Sequence, residues 1–128
     1  MIFVDSSYLI AIADRKDRWH RQALRLSNGF GKGLLVSDFV IAEAVTTVGA
    51  RGGGRAARSL FEFLKESCEV EYVDSGILDE AENLFQQTDA KLSMAQCATL
   101  AVMARRGVSK ILSFNDEFDQ IKGIERVK

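Results

Sequence analysis

Ile2-Phe3-Val4-Asp5-Ser6-Ser7 is the stretch on which the reading of this chain turns. Ile2, Phe3 and Val4 form a short apolar run of β-favouring residues, and a carboxylate with two small hydroxyl residues bounds it. Such a run reads as a short strand that hands the chain over to Asp5. Working outward, Leu34-Leu35-Val36 is a second buried strand, followed by Ser37 and Asp38. Val70-Glu71-Tyr72-Val73 alternates and reads as a third. Lys110 to Phe114 and Ile124 to Val127 supply the last two.

Helical periodicity fills the gaps. The stretch from about Tyr8 to Asn28 reads as helix in one or two pieces, with Trp19, Ala23, Leu24 and Phe30 at helical spacing. Gly29 to Gly33 reads as a turn. Ser37 or Asp38 caps the next helix, whose Val40, Ile41, Ala44, Val45 and Val48 share one face. Gly52-Gly53-Gly54 breaks it, and a helix restarts through Leu60, Phe61 and Leu64 to end near Cys68. Ser75 caps a helix carrying Ile77, Leu78, Ala81, Leu84 and Phe85. Another runs from Ser93 to Arg106 with Cys97, Leu100, Ala101 and Ala104 inward, until Gly107 stops it. A short turn covers Asp116 to Ile121. Short strands alternating with amphipathic helices predict an α/β fold with a mostly parallel sheet covered on both faces.

The bulk numbers fit that expectation. A chain of 128 residues suits one domain, and no linker or repeat divides residues 1–128. Apolar residues at 47% and charged residues at 27% exclude a disordered chain. No apolar run approaches the roughly 20 residues a bilayer span needs, so no membrane association is expected. The N-terminus lacks the basic and apolar regions of a signal peptide, which points to a cytoplasmic protein. Cys68 and Cys97 have no C-x-x-C spacing and read as free thiols in a reducing compartment. A net charge of −1 argues against non-specific wrapping of nucleic acid but leaves room for a local basic rim.

In parallel sheets, ligands bind beyond the carboxyl ends of strands. Asp5 stands at such an end, and Asn115 and Asp116 directly follow the fourth strand. Glu43 lies one turn into the helix after the second strand, in an otherwise apolar run where a buried charge is costly unless paired or metal-bound. Three or more carboxylates converging at one sheet edge call for a divalent cation, and oxygen ligands suit Mg²⁺ or Mn²⁺ better than zinc. Each residue also has a plainer reading. Asp5 suits a helix N-cap, Glu43 an edge ion pair, and Asp116 and Asp119 a turn.

Ile2-Phe3-Val4-Asp5-Ser6-Ser7-Tyr8-Leu9-Ile10 resembles the first motif of PIN domains, especially VapC-type toxin ribonucleases. Asp17-Arg18-Trp19-His20-Arg21-Gln22-Ala23 and Val36-Ser37-Asp38-Phe39-Val40-Ile41-Ala42-Glu43 are similar to the features that follow. Leu92-Ser93-Met94-Ala95-Gln96 and Ile111-Leu112-Ser113-Phe114-Asn115-Asp116-Glu117-Phe118-Asp119 complete the series in order along the whole chain. The resemblance implies a three-layer α/β/α PIN-like domain and a metal-dependent endoribonuclease. It places Asp5 and Glu43 at the first two acidic positions, with Ser6, Ser113 and Asp119 in supporting places. The third and fourth acids of the family fall on Gln96 and Asn115, which keep an oxygen and lose a charge; Asp116 is the neighbouring substitute. Ser93-x-x-Gln96 is also a capping box, a reading that needs no metal.

The resemblance therefore implies a Mg²⁺- or Mn²⁺-dependent nuclease acting on RNA, forming a homodimer and neutralised by an antitoxin protein. A catalytically degenerate PIN domain that binds RNA or protein is the alternative that Gln96 and Asn115 favour. An aspartate phosphotransferase fits poorly, because Asp5 is followed by Ser6-Ser7 rather than a paired acid. His20 is the only histidine and sits beside Trp19, which leaves no Ser/His/Asp triad without it and suits a surface residue. Arg51, Arg55 and Arg58 flank the triple glycine and offer a mobile basic loop to RNA phosphates; Lys91, Arg105, Arg106 and Lys110 form a second basic set.

Overall fold

A three-residue strand survives only if its neighbours satisfy its backbone, and β1 (Ile2–Val4) has a partner on each side. In the computed structural model, which describes residues 1–29 and 33–128, Phe3 pairs with Leu35 of β2 (Leu34–Ser37) and with Ile111 of β4 (Lys110–Leu112), both in parallel. β3 (Cys68–Glu71) extends the sheet beyond β2 and β5 (Glu125–Val127) beyond β4. The order β3-β2-β1-β4-β5 is parallel throughout, where the sequence predicts a mostly parallel sheet.

Six helices connect the described strands: α1 (Ser6–Ala13), α2 (His20–Ser27), α3 (Asp38–Gly52), α4 (Gly54–Ser67), α5 (Ser75–Gln87) and α6 (Met94–Arg106). α1 packs on α2 and α3, α3 on α4, and α5 on α6. The chain moves outward from β1 to β3, then crosses back past β1 to β4. Right-handed crossovers in opposite directions place the two helix groups on opposite faces, giving three layers. The core runs through Phe3, Leu35 and Ile111 of the sheet and Leu64, Ile77 and Met103 of the helices, all essentially inaccessible. Among the described residues no helix is long and apolar enough to cross a membrane.

Local chemistry sets the element ends. Ser37 caps α3 by accepting from the Val40 amide at 3.2 Å, while the Asp38 carboxylate accepts from the Val73 amide at 2.9 Å and ties the end of β3 to α3. Val73 and the exposed Tyr72 consequently lie outside β3, which starts earlier than the alternation predicts. Asp74, not Ser75, caps α5, accepting from the Ile77 amide at 2.9 Å. Gly107 ends α6 with φ +65. Seven consecutive α6 residues, Cys97 to Met103, are buried, so the helix is enclosed on all sides over this stretch. Ala104 lies past that stretch and is exposed, contrary to its expected inward position. β4 stops at Leu112 and the turn at Asp116–Gln120 is a 3-10 helix. Phe30 and most of the expected Gly29–Gly33 turn lie outside the described residues.

The triple glycine is not a loop. Only Gly53 separates α3 from α4, at φ +90 and ψ 172, a conformation that belongs to glycine. Arg51 is bound to Asp14 at 3.2 Å and Asp17 at 3.0 Å, fastening the end of α3 to the α1–α2 connection. The Lys16 amide and then Arg51 hold the Asp14 carboxyl below its ordinary value. Arg58 pairs with Glu62 one turn on. In the second basic set, Arg105 pairs with Asp74, Arg106 with Glu69 and Glu71, and Lys110 with Glu125. Cys97 is buried and Cys68 half-buried, both as free thiols, and burial pushes Cys68 up to about 11.

Candidate active site

β1 and β4 are neighbours at the point where the chain reverses its direction of travel through the sheet. Their carboxyl ends therefore open the crevice in which α/β sheets bind ligands. Asp5 follows β1 there, and its backbone continues the ladder by donating to the Leu112 carbonyl at 3.1 Å. It occupies the N-cap position of α1, and its carbonyl accepts from the Tyr8 and Leu9 amides. Its side chain makes no cap hydrogen bond, so the plain N-cap reading of the carboxylate fails.

That carboxylate is held by two hydroxyls instead. Ser7 Oγ donates to Asp5 Oδ2 at 2.7 Å, and Ser113 Oγ, fully buried behind β4, donates to the same oxygen at 2.8 Å. Both hydroxyl protons are thus committed, so the 3.2 Å approach of the two Oγ atoms is a contact within a shared cluster. Each hydroxyl is oriented in turn by an amide, Phe114 N–H on Ser7 at 3.0 Å and Asn115 N–H on Ser113 at 2.9 Å. Two hydroxyl protons on Oδ2 leave Oδ1 with no hydrogen bond from any described residue, and so open to a ligand. Charge-assisted hydrogen bonds of this kind are the stronger class and fix the plane of the carboxylate.

A cavity of about 130 Å³ lies in front of Asp5. Ser6, Glu43, Gln96 and Asn115 line it, as the sequence predicts for the site, together with Ser7 and Thr99, which the sequence reading does not single out. Ser7 is hidden because its decisive partner, Ser113, is 106 positions away. Thr99 was legible only as one turn of α6 beyond Gln96. Glu43 is exposed at the cavity's edge, so the cost of burying a charge is not what marks it. Asp116 begins the 3-10 turn, is exposed and does not line the cavity. Asp119 points elsewhere: Arg126 grips both its oxygens, at 2.7 and 2.6 Å, and holds its carboxyl below the usual range. Arg126 also donates to the Ser113 carbonyl at 3.2 Å, which links Asp119 to Ser113 through one guanidinium. His20 donates from Nδ1 to the Ala11 carbonyl at 2.7 Å, a structural bond outside the cavity. Trp19 stacks on Phe114 at 5.2 Å.

The expected convergence of three or more carboxylates is not realised. Among the described residues no group of three or more His, Cys, Asp or Glu is placed to hold a metal ion. Asp5 and Glu43 are the cavity's two carboxylates. Two carboxylates nonetheless fit Mg²⁺ or a cation of similar hardness, which keeps several waters and completes its shell with substrate phosphate oxygens.

A family model, the PIN domain, matches residues 2–124. The chain belongs to the PIN domain family. This PIN domain is 28% identical over 127 residues to the 23S rRNA-specific endonuclease VapC20 of Mycobacterium tuberculosis, covering 98% of this chain and 97% of the relative. It superposes on the crystal structure of VapC20, described as a Sarcin-Ricin loop cleaving toxin, with a TM-score of 0.84 and 27% identity over 93% of each chain. The toxin–antitoxin complex from Klebsiella pneumoniae matches with a TM-score of 0.75 and 16% identity over 100% of this chain and 97% of the other, a likeness of fold alone. VapBC2 from Rickettsia felis, bound to a DNA fragment of its promoter, matches with a TM-score of 0.70 and 12% identity over 99% and 98%.

Proposed function

We propose that this PIN domain is a VapC-type endoribonuclease that hydrolyses RNA with Mg²⁺ or Mn²⁺ and serves as the toxin of a toxin–antitoxin pair. The observation that carries the reading is the Asp5 carboxylate, locked through one oxygen by Ser7 and Ser113 with its other oxygen free for a ligand. Near full-length similarity to an rRNA endonuclease supports the substrate class.

Asp5 and Glu43 would hold the cation, and Ser7 and Ser113 keep Asp5 in a single orientation before substrate arrives. A bound divalent cation supplies charge to the phosphate and makes water a stronger nucleophile. Hydrolysis adds water across one P–O bond of the backbone, the hydroxide going to phosphorus and the proton to the leaving oxygen. Arg55 stands at the start of α4, exposed and without an ion pair among the described residues, and offers a cation to flanking phosphates; Arg51 is already committed to Asp14 and Asp17. Exposed Phe61 and Tyr72 beside half-buried Val45 support a homodimer, and the complex from Klebsiella supports an antitoxin partner.

The test is cleavage of a structured RNA by purified protein in Mn²⁺, in Mg²⁺ and in EDTA, with Asp5→Ala as control. Metal-dependent cleavage lost in the variant supports the nuclease. RNA binding without cleavage in either metal would leave a degenerate PIN domain, the reading that the loss of two acids favours.

A further inference from the structure

The two amides that stand where acids are expected share a feature that bears on their role: each oxygen is engaged by a backbone N–H and each nitrogen is not engaged by any described residue. Gln96 Oε1 accepts from the Ser93 backbone amide at 2.8 Å, and Ser93 Oγ accepts from the Gln96 amide at 3.0 Å, a closed capping box. Asn115 Oδ1 accepts from the Glu117 amide at 3.0 Å and caps the 3-10 turn. A backbone N–H only donates, so in each side chain the bonded atom is the oxygen and the orientation of the amide is fixed. Nε2 of Gln96 and Nδ2 of Asn115 make no hydrogen bond to any described residue, and both side chains line the cavity with Asp5 and Glu43. An amide NH₂ has no lone pair to give a cation. It has two protons to give an anion.

We propose that Gln96 and Asn115 are substrate-binding residues that donate hydrogen bonds to non-bridging oxygens of an RNA phosphodiester, and are not metal ligands. The proposal rests on the endoribonuclease reading above and sharpens it. Charge favours the same division: one divalent cation balances the two carboxylates of Asp5 and Glu43, and the phosphate's own charge then needs donors rather than further acids. Four acids at the same positions would call for more cation and would repel the phosphate in its absence. In this division the amide nitrogens serve the phosphate while each oxygen serves as a cap.

Mn²⁺ binding followed by the free-ion resonance signal, and binding of a labelled oligoribonucleotide in saturating Ca²⁺, separate the two roles. Gln96→Ala and Asn115→Ala are expected to bind Mn²⁺ within about twofold of wild type while losing roughly tenfold in oligonucleotide affinity each, the scale of one hydrogen bond to a charged group. Glu43→Ala is the contrast, losing Mn²⁺ affinity. Gln96→Glu keeps an acceptor for the Ser93 amide and so keeps the helix cap; with the donor replaced by an oxygen, its oligonucleotide affinity is expected to fall too. Mn²⁺ affinity that drops in the two alanine variants as it does in Glu43→Ala overturns the proposal, and so does a gain of oligonucleotide affinity in Gln96→Glu. Unchanged oligonucleotide affinity in the alanine variants removes the donor role alone. A wild-type protein that binds Mn²⁺ but no oligoribonucleotide removes the RNA reading and the donor role together.

Discussion

Ser113→Ala removes one hydroxyl from the centre of the site and tests whether Asp5 is held in the way its geometry implies. The Ser113 side chain is fully buried, donates to Asp5 Oδ2 at 2.8 Å and accepts from the Asn115 amide at 2.9 Å. A hydrogen bond to a charged group contributes about 1.5–3 kcal/mol, and orphaning a partly buried amide costs about 1 kcal/mol more. Ser7 still donates to the same oxygen and offsets part of this, so a net loss of about 2–3 kcal/mol is expected. In a chain of 128 residues that lowers the melting temperature by roughly 7–11 °C. Scanning calorimetry reads this directly. With one of its two restraints gone, Asp5 should bind Mn²⁺ about 10–100-fold more weakly, the usual effect of removing a group that orients a metal ligand. Ser113→Thr separates the two effects: it keeps the hydroxyl, so its Mn²⁺ affinity should stay near wild type even though the added methyl strains a filled core. An alanine variant that melts within a degree of wild type and binds Mn²⁺ equally well would refute the reasoning.

Gly53→Ala places a Cβ on a residue with φ +90 and ψ 172 at the one-residue joint between α3 and α4. It should cost about 1–3 kcal/mol in chemical denaturation, although no atom of the described residues crowds the added carbon. A neutral substitution would show that the joint relaxes freely. Asp74 is held down to about 2 by Arg105 first and the Ile77 amide second, against an ordinary value of 3.8. A carboxyl depressed on folding stabilises above its unfolded value, and that contribution is lost as pH falls from about 4 to about 2. Urea midpoints across this window should therefore fall more steeply in wild type than in Asp74→Asn, which keeps the cap oxygen; equal slopes would exclude the Arg105–Asp74 pair as a source of acid sensitivity.

Those parts of the architecture that depend on nearby residues were legible in the sequence. Ile2-Phe3-Val4 followed by Asp5 locates the central strand and the residue at its carboxyl end, and Ser93-x-x-Gln96 spells a capping box that the structure closes. Ser37 is legible as a cap for the same reason. Where two candidates adjoin, local sequence does not choose: Asp74 outcompetes Ser75 because Arg105, 31 positions away, fixes its carboxylate. Ala104 misleads because periodicity assumes one buried face, whereas α6 is enclosed over Cys97 to Met103. Arg51 reads as free charge until the fold brings Asp14 and Asp17 to it. Asp119 takes a supporting place by resemblance, and the link that joins it to Ser113, through Arg126 of β5, is not visible in local sequence. Ser7 stays silent for the same reason, since its worth is set by Ser113. Glu43 was placed correctly at the cavity for an argument about burial that its exposure does not support.

In the proposed function Asp5 anchors the cation on which RNA cleavage depends. Asp5→Asn is nearly isosteric and alters one carboxylate oxygen, so it isolates charge from shape. The decisive measurement follows RNA cleavage and bound Mn²⁺ together in one titration, for wild type and for Asp5→Asn. Wild-type cleavage should rise in step with the occupancy of a single class of site, and both should collapse by at least about tenfold in the variant. Mn²⁺ binding that survives in Asp5→Asn, or cleavage that proceeds in EDTA, would contradict it.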